Sequence, residues 1–224
     1  MKNKPEAIIF DLDGTLVDSA RDLSMALNHV LRKAGRDIFP IAKLRNTVGE
    51  GARAMITKGF SATGSLPDEH EIELILEDFL EYYQNNIAEQ TIAFPGAIRV
   101  LNRLRHMDIP LGICTNKSLK LSKKLLDEMD LSPYFKAISC GDSFNYRKPD
   151  PLHLHKTLEM MDCSKEGAVM VGDSASDIHA AKALNIPVIA VSFGYTATPV
   201  SQLPADKVID HFDHFFEALS ALSY

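Results

Sequence analysis

The sequence predicts an α/β protein: a doubly wound parallel sheet carrying an inserted all-helical cap domain. Five short runs rich in Ile and Val are near-continuously apolar instead of alternating, as strands buried on both faces of a parallel sheet must be. Helical patterns separate most of these runs, which implies right-handed crossovers. One long interval breaks the alternation and holds helical patterns only.

The runs are AIIF (7–10), PLGICT (110–115), AISC (137–140), GAVMVG (167–172) and PVIAVS (187–192). After the first, SARDLSMALNHVLRKAG starts at Ser19 as a plausible N-cap and stops at Gly35. Two shorter helical pieces, Ile41–Thr47 and Ala52–Lys58, flank the GEG at 49–51. In EHEIELILEDFLEYYQNNI the apolar residues Ile72, Ile75, Leu76, Phe79, Leu80 and Tyr83 keep close to one helical face. Phe94-Pro95-Gly96 marks the return to the sheet. The expected division is a core of residues 1–17 and 93–224 and a helical cap of residues 18–92, about seventy residues entering beside a charged strand end, where a lid over a site would sit. Helices are expected over 96–107, 118–129, 151–161 and 175–184. HFDHFFEALSALSY reads as a last amphipathic helix with Phe212, Phe215, Phe216 and Leu219 inward. Its histidines His211 and His214 read as a solvated helix start, since no carboxylate–histidine constellation surrounds them.

Bulk properties narrow the function. The 224 residues are 46% hydrophobic and 24% charged, ordinary for a globular protein, and the net charge of −6 argues against nucleic acid as a partner. No apolar run reaches 18 residues, so no membrane span is expected, and the basic start MKNK precedes too short an apolar run for a signal peptide. Cys114, Cys140 and Cys163 lack metal-site spacing; as reduced core thiols they suit a cytoplasmic setting. A monomer or homodimer acting on a small molecule is expected.

In doubly wound sheets ligands bind beyond the carboxyl ends of the strands. There the sequence places Asp11 and Asp13, then Thr115, Asn116 and Lys117, then Lys148 and Asp150, then Asp173, Ser174 and Asp177. Asp11 and Asp13, two apart in an extended chain, should point the same way, with Asp173 joining from a neighbouring strand. Three carboxylates that close require a cation, and oxygen ligands with open positions suit Mg²⁺ beside a substrate phosphate. Thr115 with the following backbone N–H groups forms a phosphate seat, and Lys148 offsets charge on phosphate and carboxylate. Asp18 and Ser19 read as helix-capping residues and Lys117 as solvated; Asn116 serves either through its side chain or only through its backbone N–H.

DLDGT (11–15), TN (115–116), KP (148–149) and GDSASD (172–177) resemble, in order and spacing, the four motifs of the haloacid-dehalogenase-like hydrolase superfamily, and the helical insertion is similar to its cap. FDLDGTLVDS, TNKS, RKPDP and VGDSASDIHAAKAL most resemble the phosphoglycolate phosphatase group of that superfamily. The resemblance implies Asp11 as nucleophile forming an aspartyl-phosphate and Asp13 as the proton donor and acceptor. It implies Mg²⁺ on the Asp11 side chain, the Asp13 backbone carbonyl and Asp173, supported by Asp177. It also implies Thr115 and Lys148 on the phosphoryl group.

Asp13 argues against dehalogenases and phosphonate-cleaving relatives, which lack a carboxylate there. A β-phosphoglucomutase-like phosphotransferase keeps all four motifs, while a receiver-like phosphorylated switch is disfavoured by Asp13 and by the cap. For substrate, TVGEGARAM (47–55) is the expected contact loop: Gly49 and Gly51 allow close backbone approach, and Arg53 would pair with a carboxylate such as that of 2-phosphoglycolate. Glu50 lies between the glycines and either repels an anion or binds a hydroxyl. Sugar phosphates and nucleotides are the alternative substrates.

Overall fold

A computed structural model describes residues 4–223, except the side chains at positions 45 and 46. The basic start at residues 1–3 and the terminal Tyr224 lie outside the described residues.

The predicted strands form as β1 (Ala7–Phe10), β4 (Leu111–Cys114), β5 (Ala137–Ser139), β6 (Ala168–Gly172) and β7 (Val188–Val191). With β8 (Lys207–Ile209) they build one parallel sheet in the order β5-β4-β1-β6-β7-β8. The pleat divides each run between two cores. Ile8, Phe10, Leu111, Ile113, Val169 and Val171 face one layer, packing with residues of α5 (Ala97–His106), α6 (Leu119–Glu128) and α9 (Phe215–Ser220). Ala7, Ile9, Cys114, Ala168, Met170 and Val188 face the other, under α7 (Pro151–Met160) and α8 (Ala175–Ala183). Burial on both sides explains why these strands read as unbroken apolar runs.

Each crossover helix stops the same way. Asp108, Asp130, Asp162 and Asn185 follow α5, α6, α7 and α8 with φ of 50°, 56°, 52° and 59°. Asp and Asn tolerate this left-handed conformation better than other non-glycine residues, and it turns the chain back toward the sheet.

Between β1 and β4 lie α1 (Ala20–Lys33), α2 (Ile41–Val48), α3 (Ala52–Thr63) and α4 (Glu69–Asn85), which pack on one another. Asp68 and Glu71 close a capping box at the start of α4. Entry and exit of this segment are tied together. β2 (Val17–Asp18) pairs antiparallel with β3 (Ile92–Ala93), and the buried Asp22 accepts from the backbone N–H groups of Gln90 and Thr91 and from the Thr91 hydroxyl. Neither this two-residue ribbon nor the edge strand β8, with Val208 44% exposed, carries enough apolar sequence to register as a strand.

Phe212, Phe215 and Leu219 are buried as expected, and His211 and His214 pair with Asp213 and Asp210 at the surface. All three cysteines are free thiols, with Cys114 and Cys140 buried. Among the described residues no helix is long and apolar enough to cross a membrane.

Candidate active site

β1 is flanked by β4 and β6, so the chain winds outward in both directions from it. In register, Phe10 pairs with Ile113 on one side and Val171 on the other. Asp11, Thr115 and Asp173 therefore each follow immediately on a strand end along one edge of the sheet. All three line a cavity of about 1050 Å³, together with Asp13, Asn116, Lys117, Lys148, Gly49, Gly51 and Arg53.

The carboxylates of Asp11, Asp173 and Asp177 gather within 4.8 Å of one another, all buried. Lys148 closes the group, with Nζ 2.9 Å from Asp11 Oδ1 and 2.6 Å from Asp177 Oδ1. Its side chain is only 2% exposed. Burial pushes the Asp11 carboxyl up to about 6, helped by the charge of Asp177 and opposed by Lys148. Asp173 is raised well above the carboxylate range by burial and by the charges of Asp11 and Asp177. Burial alone would lower Lys148, but its two carboxylate partners outweigh that and raise it. Three acids against one lysine leave an excess of negative charge and hard oxygen donors, which fits a divalent cation.

The surrounding contacts fix these groups. Asp173 accepts from Thr15 Oγ1 at 3.0 Å and from the Tyr195 N–H at 2.6 Å. A Cβ at Gly14 or Gly194 would run into the Asp173 side chain, so only glycine admits this approach. Asp177 is fully engaged, since Oδ2 accepts from Ser174 N and Oγ while Oδ1 takes Lys148. Asp177 is thus a support for Lys148 and for the start of α8. Behind Lys148 stands His153, whose Nδ1 accepts the Lys148 N–H. Burial and the Lys148 charge push its imidazole down to about 4, which keeps it neutral. Asn116 uses its side chain, donating to the Lys148 carbonyl at 2.9 Å. Asp150 caps α7 at its first turn.

Three expectations need correcting. β1 ends at Phe10, so strand alternation does not carry Asp13 to the cluster; its carboxylate turns instead to Ser19 Oγ at 2.5 Å and Lys117 Nζ at 2.9 Å. Lys117 is not solvated: its side chain is 7% exposed, and it also donates to the Tyr83 hydroxyl at 2.7 Å. Ser19 occupies the N-cap position of α1 without a capping hydrogen bond, being committed to Asp13. Asp18 lies on β2 and does reach the helix start, accepting from the Ala20 N–H at 3.4 Å, while it also accepts from the Tyr195 hydroxyl, which itself accepts the Ala20 N–H at 2.9 Å. Nothing local in the sequence marks Tyr195, or the hydroxyl of Tyr83, for the site, because their partners are remote along the chain.

In the α2–α3 loop Gly51 has φ 96°, a backbone that glycine alone adopts freely. Arg53 lines the cavity, but its guanidinium bonds to Glu69 and Glu73 on the outer side.

A parallel sheet with paired aspartates after its first strand, a hydroxyl after the second and a lysine–aspartate pair beside them defines a class. Residues 8–191 match the family of haloacid dehalogenase-like hydrolases, and the chain belongs to that family. Among its relatives is a phosphoglycolate phosphatase of Agrobacterium fabrum, 41% identical over 94% of this chain and 91% of the relative. A phosphoglycolate phosphatase of Caulobacter vibrioides is 40% identical over 92% and 86%. The fold is shared with a crystal structure from Haemophilus somnus 129PT, described as a predicted phosphoglycolate phosphatase, at TM-score 0.91 and 24% identity over 98% and 100% of the chains.

Proposed function

We propose that this protein is a Mg²⁺-dependent phosphomonoester hydrolase that works through an aspartyl-phosphate on Asp11 and acts on 2-phosphoglycolate. The observation that carries the reaction is the buried group of Asp11, Asp173 and Asp177 closed by Lys148 at a cavity floor. The substrate follows from the relatives named phosphoglycolate phosphatase, which match nearly the whole chain.

Asp11 and Asp173 side chains, with the Asp13 carbonyl, would hold Mg²⁺; when bound it shields the phosphoryl oxygens and the nucleophile from each other's charge. The Asp11 oxygen attacks phosphorus and the ester P–O bond breaks, the leaving alkoxide taking its proton from the Asp13 carboxyl. In the second half Asp13 takes a proton from water as that water attacks phosphorus, freeing phosphate and restoring Asp11. Lys148, fixed by Asp177, faces the growing negative charge, and Thr115 with the N–H groups after it seats the phosphoryl oxygens. Asn116 holds the Lys148 backbone in place.

Residues 18–92 serve as the cap over this cavity. Gly49 and Gly51 line the cavity and let the α2–α3 loop approach the substrate closely, and Arg53 recognises its carboxylate by exchanging Glu69 and Glu73 for it. A panel of phosphate esters assayed with Mg²⁺ tests the reading. Preference for 2-phosphoglycolate over sugar phosphates and nucleotides is expected; a flat profile would remove the named substrate, and no phosphate release from any ester would remove the reaction.

A further inference from the structure

Asp13 lies past the last residue of β1, in an isolated bridge to Val17 just before the turn at 14–16, so the pleat of the main sheet does not fix its side chain. Its orientation comes from three hydrogen bonds. Lys117 Nζ reaches both oxygens, at 3.2 and 2.9 Å, and Ser19 Oγ reaches Oδ1. The pair is largely shut off from solvent, with the Lys117 side chain 7% and the Asp13 side chain 14% exposed. Lys117 pairs with Asp13, whereas Lys148 is the lysine paired with Asp11 and Asp177.

Lys117 is itself held from the other side of the cavity. Its ammonium donates to the Tyr83 hydroxyl at 2.7 Å and lies 4.5 Å from the centre of the Tyr83 ring. Tyr83 belongs to α4, in the inserted helical segment, and is 1% exposed. Burial, with the charges of Asp13 and Asp22, keeps its phenol protonated, so the hydroxyl remains a neutral partner. A chain of contacts thus runs from α4 through Lys117 to Asp13.

We infer that Lys117 is a positioning residue for Asp13 and that Tyr83 sets the placement of Lys117, so that α4 acts on the proton-transfer step by a route separate from the substrate contacts of the α2–α3 loop and Arg53. This rests on the reading of Asp13 as the proton carrier. A carboxyl that must meet a leaving oxygen within hydrogen-bond reach gains from being held, and general acid catalysis is worth about 10²–10⁴-fold. The burden falls on poor leaving groups, since an aryl oxygen departs without a proton.

The test compares kcat/KM for p-nitrophenyl phosphate, ethyl phosphate and 2-phosphoglycolate in the full chain with Mg²⁺. This parameter covers only the steps through transfer to Asp11, where the leaving group matters. In Lys117→Met the ratio of either alkyl ester to the aryl ester should fall about 10²-fold, and in Tyr83→Phe by about 3- to 10-fold. Equal loss on all three esters would make Lys117 merely structural and overturn the inference. Loss on 2-phosphoglycolate alone would make it a carboxylate anchor and overturn it equally. Asp13→Asn separates the two levels: if its alkyl-to-aryl ratio is unchanged, the acid role of Asp13 has failed and not the placement by Lys117.

Discussion

Replacing Lys148 by Met is the perturbation with the largest calculable effect on the metal-free protein. Met matches the stem but leaves Asp11 and Asp177 without their shared cation, in a place where their side chains are 12% and 0% exposed. Breaking a buried pair this way costs about 3–5 kcal/mol. A second route gives the same size: the variant can take up one proton, and protonating an ordinary carboxylate at pH 7 costs about 1.4 kcal/mol for each of roughly three pH units. At about 2–4 °C per kcal/mol, Tm should fall by about 6–20 °C.

The sign of the pH dependence is fixed as well. Above about pH 6 the parent holds Asp11 ionised beside Lys148, while the folded variant carries an extra proton that its unfolded chain releases. The gap between them therefore narrows by up to about 1.4 kcal/mol per pH unit between pH 8 and pH 6. The raised Lys148 contributes its stability fully below its unfolded value of 10.5, so its own titration does not disturb this window. Urea unfolding followed by circular dichroism in EDTA at pH 8, 7 and 6 measures both quantities. A gap below about 1 kcal/mol, or one independent of pH, would refute the network as described.

Three further outcomes are expected. Gly194→Ala places a methyl against Asp173 and the Gly14 carbonyl, so the Mg²⁺ concentration for half-maximal phosphatase activity should rise at least about tenfold; an unchanged Mg²⁺ titration would show that this approach is not required. Asp11, raised from 3.8 to about 6, gives the metal-free protein stability that is present below pH 3.8 and lost as pH rises through 6. Mg²⁺ must displace that proton, so its effect on Tm should be small near pH 4.5 and grow to pH 7.5, whereas a constant effect would contradict the assignment. Asp22→Ala strands the N–H groups of Gln90 and Thr91 and should cost about 2–4 kcal/mol in thermal unfolding, with little loss indicating that the β2–β3 ribbon holds the linkers alone.

The sheet was legible because β1, β4, β6 and β7 are buried on both faces, and such strands have no choice but to be apolar throughout. β8 and the β2–β3 ribbon escaped because short, half-exposed strands draw their stability from partners, not from their own composition. The site divides similarly. Asp11, Thr115 and Asp173 stand one residue beyond a strand end, a position that sequence reveals once the strands are known. Lys117, Tyr83 and Tyr195 depend on what faces them across the cavity or at the start of α1. A lysine beside Thr115 looks solvated until α4 brings Tyr83 against it. The Ser19 hydroxyl likewise looked free to accept from the first turn of α1, but it makes no capping bond and instead donates to the Asp13 carboxylate 2.5 Å away.

The proposed reaction requires Asp11 to carry the phosphoryl group. Rapid-quench labelling with ³²P-phosphorylated substrate in Mg²⁺, followed by peptide mapping of the acid-quenched protein, tests this directly. Label on the peptide containing Asp11, appearing and disappearing at rates compatible with turnover and absent from Asp11→Asn, is the predicted result. Phosphate release at full rate with no label on Asp11, or undiminished turnover by Asp11→Asn, would contradict it.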